Sequence, residues 1–315
     1  MAKIVLATVG SLGDLHPKIA LALELKKRGH DPVIATWAGY EEKVRGLGFE
    51  FFPLRPNIAP SDTEIGKRAM DARSGPEVVI REVIFPSLPD MYEDLAEACQ
   101  GAEVMISGEI VYAAASLAEK TGIRWISTSL APMTMFSAYD PNVYPSFEWL
   151  EYLRPLPSLF HRGLFQVMQL TIRDWYGPYK DFRRGLGLSE DHEPIFTDKF
   201  SKVLHLAMFS KALGRTQPDW PFATLQTGFC FYDESVSNAP DPKINAFLDA
   251  GEAPLVFTLG SAAVMDARDF FEESVKAAKV LGKRAILTVV VSRSRLDTPP
   301  RTGRPHSASR TAVPT

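Results

Sequence analysis

Cysteine is scarce: only Cys99 and Cys230 carry thiols, far apart and without a C-x-x-C spacing. A disulfide framework or a cysteine zinc site is thereby excluded, and the chain suits a reducing, cytoplasmic setting. No charge of one sign is in surplus, since 35 Lys and Arg stand against 38 Asp and Glu for a formal net of −3. Neither a basic field for nucleic acid nor an acidic solvating tail is expected from that balance. No apolar run reaches the roughly 18 residues a membrane-spanning helix needs. Met1–Val9 is apolar but short, and it runs into Gly10, Gly13 and Asp14 in place of a small-residue cleavage site. It reads as a buried strand and not as a signal peptide. A Walker loop, a G-x-S-x-G elbow, an H-E-x-x-H pair and a D-x-D metal motif are all missing.

What is present is ordinary globular material, 45% hydrophobic and 23% charged over 315 residues, enough for about two domains. Strand-length apolar runs alternate with helical patterns. Lys3–Val9 reads as a strand buried on both faces, Pro17–Arg28 as a helix stopped by Gly29, and Val33–Thr36, Phe49–Leu54, Glu103–Ser107 and Arg124–Ser129 as further strands. Helices are expected over Glu41–Leu47 and Tyr112–Lys120, with a helical segment up to Cys99 broken near Pro86 and Pro89. Such alternation implies a parallel sheet covered by helices, an α/β class fold. Ala131–Pro157 interrupts it with five prolines among aromatics, before a long helical stretch from Ser158 to Phe182 and strands near Val203–Phe209 and Ala223–Phe229. After Asp233–Asp241 the alternation restarts with Leu255–Leu259, Asp266–Leu281 and Arg284–Val291.

The richest segment is Thr8-Val-Gly-Ser-Leu-Gly-Asp-Leu-His-Pro17, a glycine turn between the first strand and the first helix. Open α/β folds bind ligands at that carboxyl edge, where glycine lets a ligand approach the backbone and a helix N-terminus offers free N–H groups. A dinucleotide site would need G-x-G-x-x-G and an acid at the tip of the second strand. The sequence has G-x-x-G, and that strand ends in Ala35-Thr36-Trp37. An NAD(P)-dependent oxidoreductase is thus the weaker reading.

Gly10-Ser-Leu-Gly-Asp14…Pro17, then Ala20-Leu21-Ala22…Leu25…Gly29-His30, then Val33…Ala35-Thr36 resemble the amino-terminal domain of the UDP-glycosyltransferases. The likeness is greatest to bacterial family 28 and family 1 enzymes, including those acting on sterols, flavonoids and antibiotic aglycones. Ala131-Pro-Met-Thr-Met-Phe-Ser-Ala-Tyr-Asp-Pro141 and Pro254-Leu-Val-Phe-Thr-Leu-Gly-Ser261 resemble two later segments of the same group, in the same order. The resemblance implies a GT-B architecture of two Rossmann-like domains. It implies transfer of a hexose from a nucleotide diphosphate sugar, a UDP-sugar by this likeness, to a hydroxyl of a hydrophobic small molecule or lipid. No metal or resident cofactor is implied.

By the same resemblance Asp14 stands where a base would take the acceptor proton, with His16 as a supplement or replacement. A second role is open to Asp14, capping a helix from Leu15, and the two roles pull its pKa in opposite senses. Gly10, Ser11 and Gly13 would shape the acceptor side, together with Met133, Phe136 and Tyr139 as an apolar wall; packing against the next helix is the alternative for those three. Gly260 and Ser261 would meet the donor, or simply form a turn and cap. Phe160, Leu164, Val167, Met168 and Trp175 with scattered arginines suit a core helix better than a peripheral membrane contact. Glu190-Asp191-His192-Glu193 reads as a solvated loop, because consecutive residues do not converge on one ion.

The expected organisation is an acceptor-binding domain over 1–232, a linker at 233–243, the beginning of a nucleotide-sugar domain over 244–291 and a disordered tail at 292–315. That tail holds four prolines, five arginines and no aromatic residue. Family likeness ends at Val291, which suggests a truncated or frameshifted donor domain, negligible transfer by the chain alone, and a partner chain to complete it. The rival class is a non-catalytic acceptor-binding module or half of a split enzyme.

Overall fold

The computed structural model describes residues 1–58, 63–71, 73–143, 145–232, 241–260, 263 and 267–288. The expected tail at 292–315 and all but the last residues of the expected linker lie outside these. The chain divides into two compact units, Met1–Ala59 with Asp71–Tyr232, and Pro60–Met70 with Asp233–Thr315. The short helix Thr63–Ala69 thus belongs with the second unit although its sequence interrupts the first.

The first unit is built on seven strands: β1 Lys3–Ala7, β2 Asp31–Thr36, β3 Glu50–Pro53, β4 Val104–Ser107, β5 Arg124–Ser129, β6 Leu204–Ala207 and β7 Thr224–Gln226. They form one sheet in the order β3-β2-β1-β4-β5-β6-β7, and every neighbouring pair is parallel. Both faces are covered, as the side-chain period of two requires. Val5, Ala7, Val33, Ala35 and Met105 point into one apolar cluster with Leu88, Met91, Leu95 and Tyr179. Ile4, Leu6, Ile34, Phe51 and Ile106 point into another with Leu15, Ile19, Ala22 and Val44. Each fully buried Leu, Ile or Val contributes about 1.5–3 kcal/mol. The order reverses between β1 and β4, so the loops leaving these strands part and open a crevice at their carboxyl ends.

Three local expectations need correction. The first helix spans Leu12–Lys27 and not Pro17–Arg28, with Pro17 inside it. A proline there lacks an N–H and costs about 3 kcal/mol in a regular helix interior, yet Ser11 and Asp14 form a reciprocal capping box that starts the helix five residues earlier. The stretch 158–182 is not one helix: Ser158–Thr171 ends, Arg173–Tyr176 makes a tight turn, and Gly177–Gly185 begins anew with Pro178 in its first turn, where the missing N–H is harmless. Finally, Ser158–Thr171 is largely exposed, with Met168 packed on the core. Only His161 on it is buried, while Leu159, Val167 and Leu170 are exposed.

The second unit pairs β8 Leu255–Thr258 with β9 Ala285–Thr288 in parallel. Ala278 of the helix Phe270–Val280 packs on Ala285 and Leu287 of β9.

Candidate functional site

The loop leaving β1 holds the segment singled out from sequence. Ser11 is the N-cap, its Oγ accepting from the Gly13 N–H at 3.1 Å, while Asp14 Oδ2 accepts from the Ser11 N–H at 2.8 Å and lies 3.4 Å from Ser11 Oγ. Asp14 is therefore the third residue of the helix and not its cap. Gly10 adopts φ +125, which an L side chain rarely does, and a Cβ there would lie 2.8 Å from Asp14 Cγ. The Tyr40 hydroxyl donates to Gly10 O at 3.2 Å and fixes the turn from β2's side.

One oxygen of Asp14 is thus tied to the backbone, and among the described residues Oδ1 receives no hydrogen bond. Burial pushes the carboxyl above the ordinary carboxylate range; the Ser11 amide and the Lys18 charge oppose that, and Glu109 adds to it. The capping role and the raised basicity expected to compete for Asp14 coexist, because burial outweighs the amide.

Three neighbours carry charges that the sequence motifs did not reveal. Lys18, one turn after Asp14 on the same helix face, is fully buried, and its Nζ donates to Thr128 Oγ1 at 2.5 Å. Burial lowers its pKa to about 8, against the raising charges of Asp14 and Glu109. Glu109 follows Gly108 in the loop leaving β4, where Oε1 accepts from the Leu130 N–H at 3.0 Å and from Thr134 Oγ1 at 2.9 Å. A Cβ at Gly108 would meet Thr8 Oγ1 at 3.0 Å, a tight contact that Thr8 would have to relieve. Lys199 Nζ donates to Thr134 O at 2.7 Å and lies 4.8 Å from the centre of the Phe136 ring; burial lowers its pKa to about 8. A signal existed for Lys18, which falls on the face marked by Leu15, Ile19 and Ala22. It existed for Glu109 too, just past a glycine at a strand's carboxyl end. None existed for Lys199.

The other sequence candidates divide. His16 lies on the same helix turn as Asp14 but its ring meets Tyr232 edge-on at 5.0 Å. Residues two apart on a helix project to different sides, so the two are not presented together. Ser11 and Gly13 sit at the helix mouth. Met133 and Tyr139 are exposed, and Tyr139 Oη accepts from Arg162 at 3.3 Å. Phe136 is held at φ +50 with its ring 4.8 Å from that of Phe196, so it joins the core more than an open wall. Gly260 is exposed after β8 in the second unit, and Ser261 lies outside the described residues. In the Glu190–Glu193 loop the side chains diverge, Glu190 to Arg184 and His192 to Asp198. Among the described residues no three His, Cys, Asp or Glu side chains could hold a metal ion, and no helix is long and apolar enough to cross a membrane.

Comparison with known proteins gives a consistent result. Residues 4–133 match the glycosyltransferase family 28 N-terminal domain. A sterol 3-beta-glucosyltransferase of Leptosphaeria maculans is 28% identical over 256 residues, covering 78% of this chain and 16% of the fungal protein. The O-mycaminosyltylonolide 6-deoxyallosyltransferase of Streptomyces fradiae is 26% identical over 301 residues, covering 90% of this chain and 68% of the relative. Among solved structures, a glycosyltransferase of Streptomyces sp. SF2575 in complex with thymidine diphosphate superposes with a TM-score of 0.54 at 14% identity, over 92% of this chain and 68% of that one. The chain spans under a fifth of the fungal sterol glucosyltransferase and about two thirds of the bacterial enzyme. The fold is that of the GT-B glycosyltransferases.

Proposed function

We propose that this chain, a relative of the glycosyltransferases whose first part is a family 28 N-terminal domain, activates the acceptor in hexosyl transfer from a nucleotide diphosphate sugar to a hydroxyl of a hydrophobic molecule. The observation that carries the reading is Asp14: Oδ2 anchored on Ser11, Oδ1 without a partner among the described residues, and a carboxyl made more basic by burial at the crevice between β1 and β4. The acceptor O–H gives its proton to Oδ1 as its oxygen bonds the anomeric carbon. The bond from that carbon to the diphosphate breaks, and its electron pair leaves with the nucleotide. Exposed Met133 and Tyr139 suit an apolar acceptor, in keeping with sterol and tylonolide relatives. Gly260, with Ser261 after it, is our candidate for donor contact, with the nucleotide either UDP, as the family likeness suggests, or dTDP.

The test incubates the chain with UDP- and dTDP-hexoses and a panel of sterols and macrolide aglycones, following acceptor binding by calorimetry and product by mass spectrometry. Transfer that is lost in Asp14→Asn supports the reading. A panel that is neither bound nor glycosylated overturns it.

A lipid-surface contact is a second reading, favoured by one observation. Leu159, Val167 and Leu170 are exposed on Ser158–Thr171, and Trp149 and Tyr152 are exposed just before it. Co-sedimentation with phosphatidylcholine–phosphatidylglycerol vesicles that persists after Leu159→Ser and Leu170→Ser would refute it.

A further inference from the structure

Burying a lysine is expensive unless its charge is compensated, and the interior here supplies reasons to keep Lys18 charged. Its Nζ donates to Thr128 Oγ1 at 2.5 Å. The Thr128 hydroxyl proton is already committed to Ser107 O at 2.9 Å, so the hydroxyl faces Lys18 with a lone pair and the lysine has to be the donor. Thr128 is the last residue but one of β5 and Ser107 the last of β4, so two strand ends hold the Nζ in place. Asp14 lies one helical turn before Lys18, on the same face, and carries the helix's one acidic group in its first turn.

The charged and titratable groups around this pair come from every element packed on it. They are Asp14 on the helix itself, Glu109 from the loop after β4, the Cys230 thiol from the segment after β7, the Tyr40 hydroxyl from the turn after β2, His205 on β6, which feels the Lys18 charge, and Lys199 before β6, which feels that of Glu109. Two carboxyl groups therefore act through their charge on one fully buried lysine. Glu109 is further supplied by Leu130 N–H and the Thr134 hydroxyl, whereas among the described residues Asp14 is hydrogen-bonded by Ser11 alone. Without the lysine, a partly buried carboxyl beside another carboxylate would be driven to its protonated form, which accepts no proton from a substrate.

We propose that Lys18 is a positioning residue, its ammonium fixed by Thr128 so that Asp14 stays ionised against the neighbouring Glu109. The proposal rests on Asp14 being the base. Lys18 touches no substrate and acts through Asp14 alone. Burial and Glu109 move the Asp14 titration upward while Lys18 moves it downward, and the balance decides the pH at which the carboxylate exists.

The experiment is NMR titration of the full chain labelled with 13C-aspartate and 15N-lysine, with no donor or acceptor present. Lys18→Met is expected to raise the Asp14 midpoint by about one pH unit or more, and Glu109→Gln to lower it, as removal of nearby charges of opposite sign should. In the unaltered chain the Lys18 Nζ resonance should move at the Asp14 midpoint, a readout that survives if the Lys18 variant does not fold. An Asp14 midpoint that is unchanged in Lys18→Met, that shifts in the same direction in both variants, or that Lys18 Nζ does not sense overturns the proposal. A proposal that fails here leaves the base reading standing, because Asp14→Asn turnover decides that separately.

Discussion

Gly10 and Asp14 occupy space that a single additional methyl group would make incompatible: a Cβ on Gly10 would sit 2.8 Å from Asp14 Cγ and closer still to Oδ2. The carboxylate leans over the glycine to reach the Ser11 N–H, so the glycine's lack of a side chain is what admits the anchored base. The glycine turn and the acid are one device.

Gly10→Ala should accordingly lose stability and activity together. Forcing an L residue to φ +125 costs on the order of 1–3 kcal/mol before the clash with Asp14 is counted. Urea denaturation should show the loss, whereas Gly29→Ala, with open space around its Cβ, should show only the backbone strain of φ +81.

Asp14→Asn should reduce transfer by about 10²–10⁴-fold, the usual worth of a positioned base, with little change in Tm. The amide oxygen can still accept from the Ser11 N–H, which keeps the cap. Because burial raises the carboxyl's folded pKa, the folded chain binds its proton more readily than the unfolded chain does. Rate should fall as pH drops through that raised value, while the stability contribution runs the other way and declines as pH rises from the ordinary value, 3.8, through the folded one. A pH–rate profile whose acid limb is the same in a His16→Gln variant would assign the limb to Asp14.

His205 should make the fold acid-sensitive. Burial, reinforced by the charges of Lys199 and Lys18, holds its pKa down to about 3, and its Nδ1 pairs with Ser127 Oγ at 2.8 Å. The unfolded chain then binds a proton that the folded chain refuses. The contribution is full above the ordinary histidine value of 6.5 and is lost as pH falls from there toward 3, by up to about 1.4 kcal/mol per pH unit. Denaturation midpoints across pH 4–8 should flatten in His205→Asn, and an unchanged slope would contradict this account.

Arg183 should tolerate no replacement by lysine. Fully buried, it donates to Ser189 O at 2.5 Å, to Ser116 Oγ at 3.1 Å and to Glu119 Oε2 at 2.7 Å, three partners that only a planar fork reaches at once. Arg183→Ala removes the donor from Ser116 and Ser189 O while Glu119, 42% exposed, turns to solvent, and should cost about 1–3 kcal/mol. Arg183→Lys should recover less than half of it in thermal unfolding.

Much of the fold was legible because its determinants are local. Arg124–Ser129 was bounded to the residue, and the other strands of the first unit to within a few, since apolar runs between glycines and polar turns leave little freedom. Pro17 marks a helix start by local pattern, while the true start depends on Ser11 Oγ taking the Gly13 N–H and Asp14 taking the Ser11 N–H. The break after Thr171 has its local sign in Gly177-Pro178, which starts a new helix, but apolar spacing runs on through it. Met168, Ile172 and Trp175 pack on the core as an amphipathic pattern suggests, yet Leu159, Val167 and Leu170 stay outside it, which periodicity does not distinguish.

By itself the sequence determined the strand and helix alternation, the glycine turn after β1 and the acid within it, because hydrophobic period and backbone conformation are properties of neighbouring residues. Only the tertiary structure decided what that acid is surrounded by. Lys18 and Thr128 meet across 110 positions, and Lys199 and Thr134 across 65. The parallel sheet brings the ends of β1, β4, β5 and β6 to one edge, where burial converts lysines and carboxylates that would be solvated on a helix or loop into charges that set one another's state.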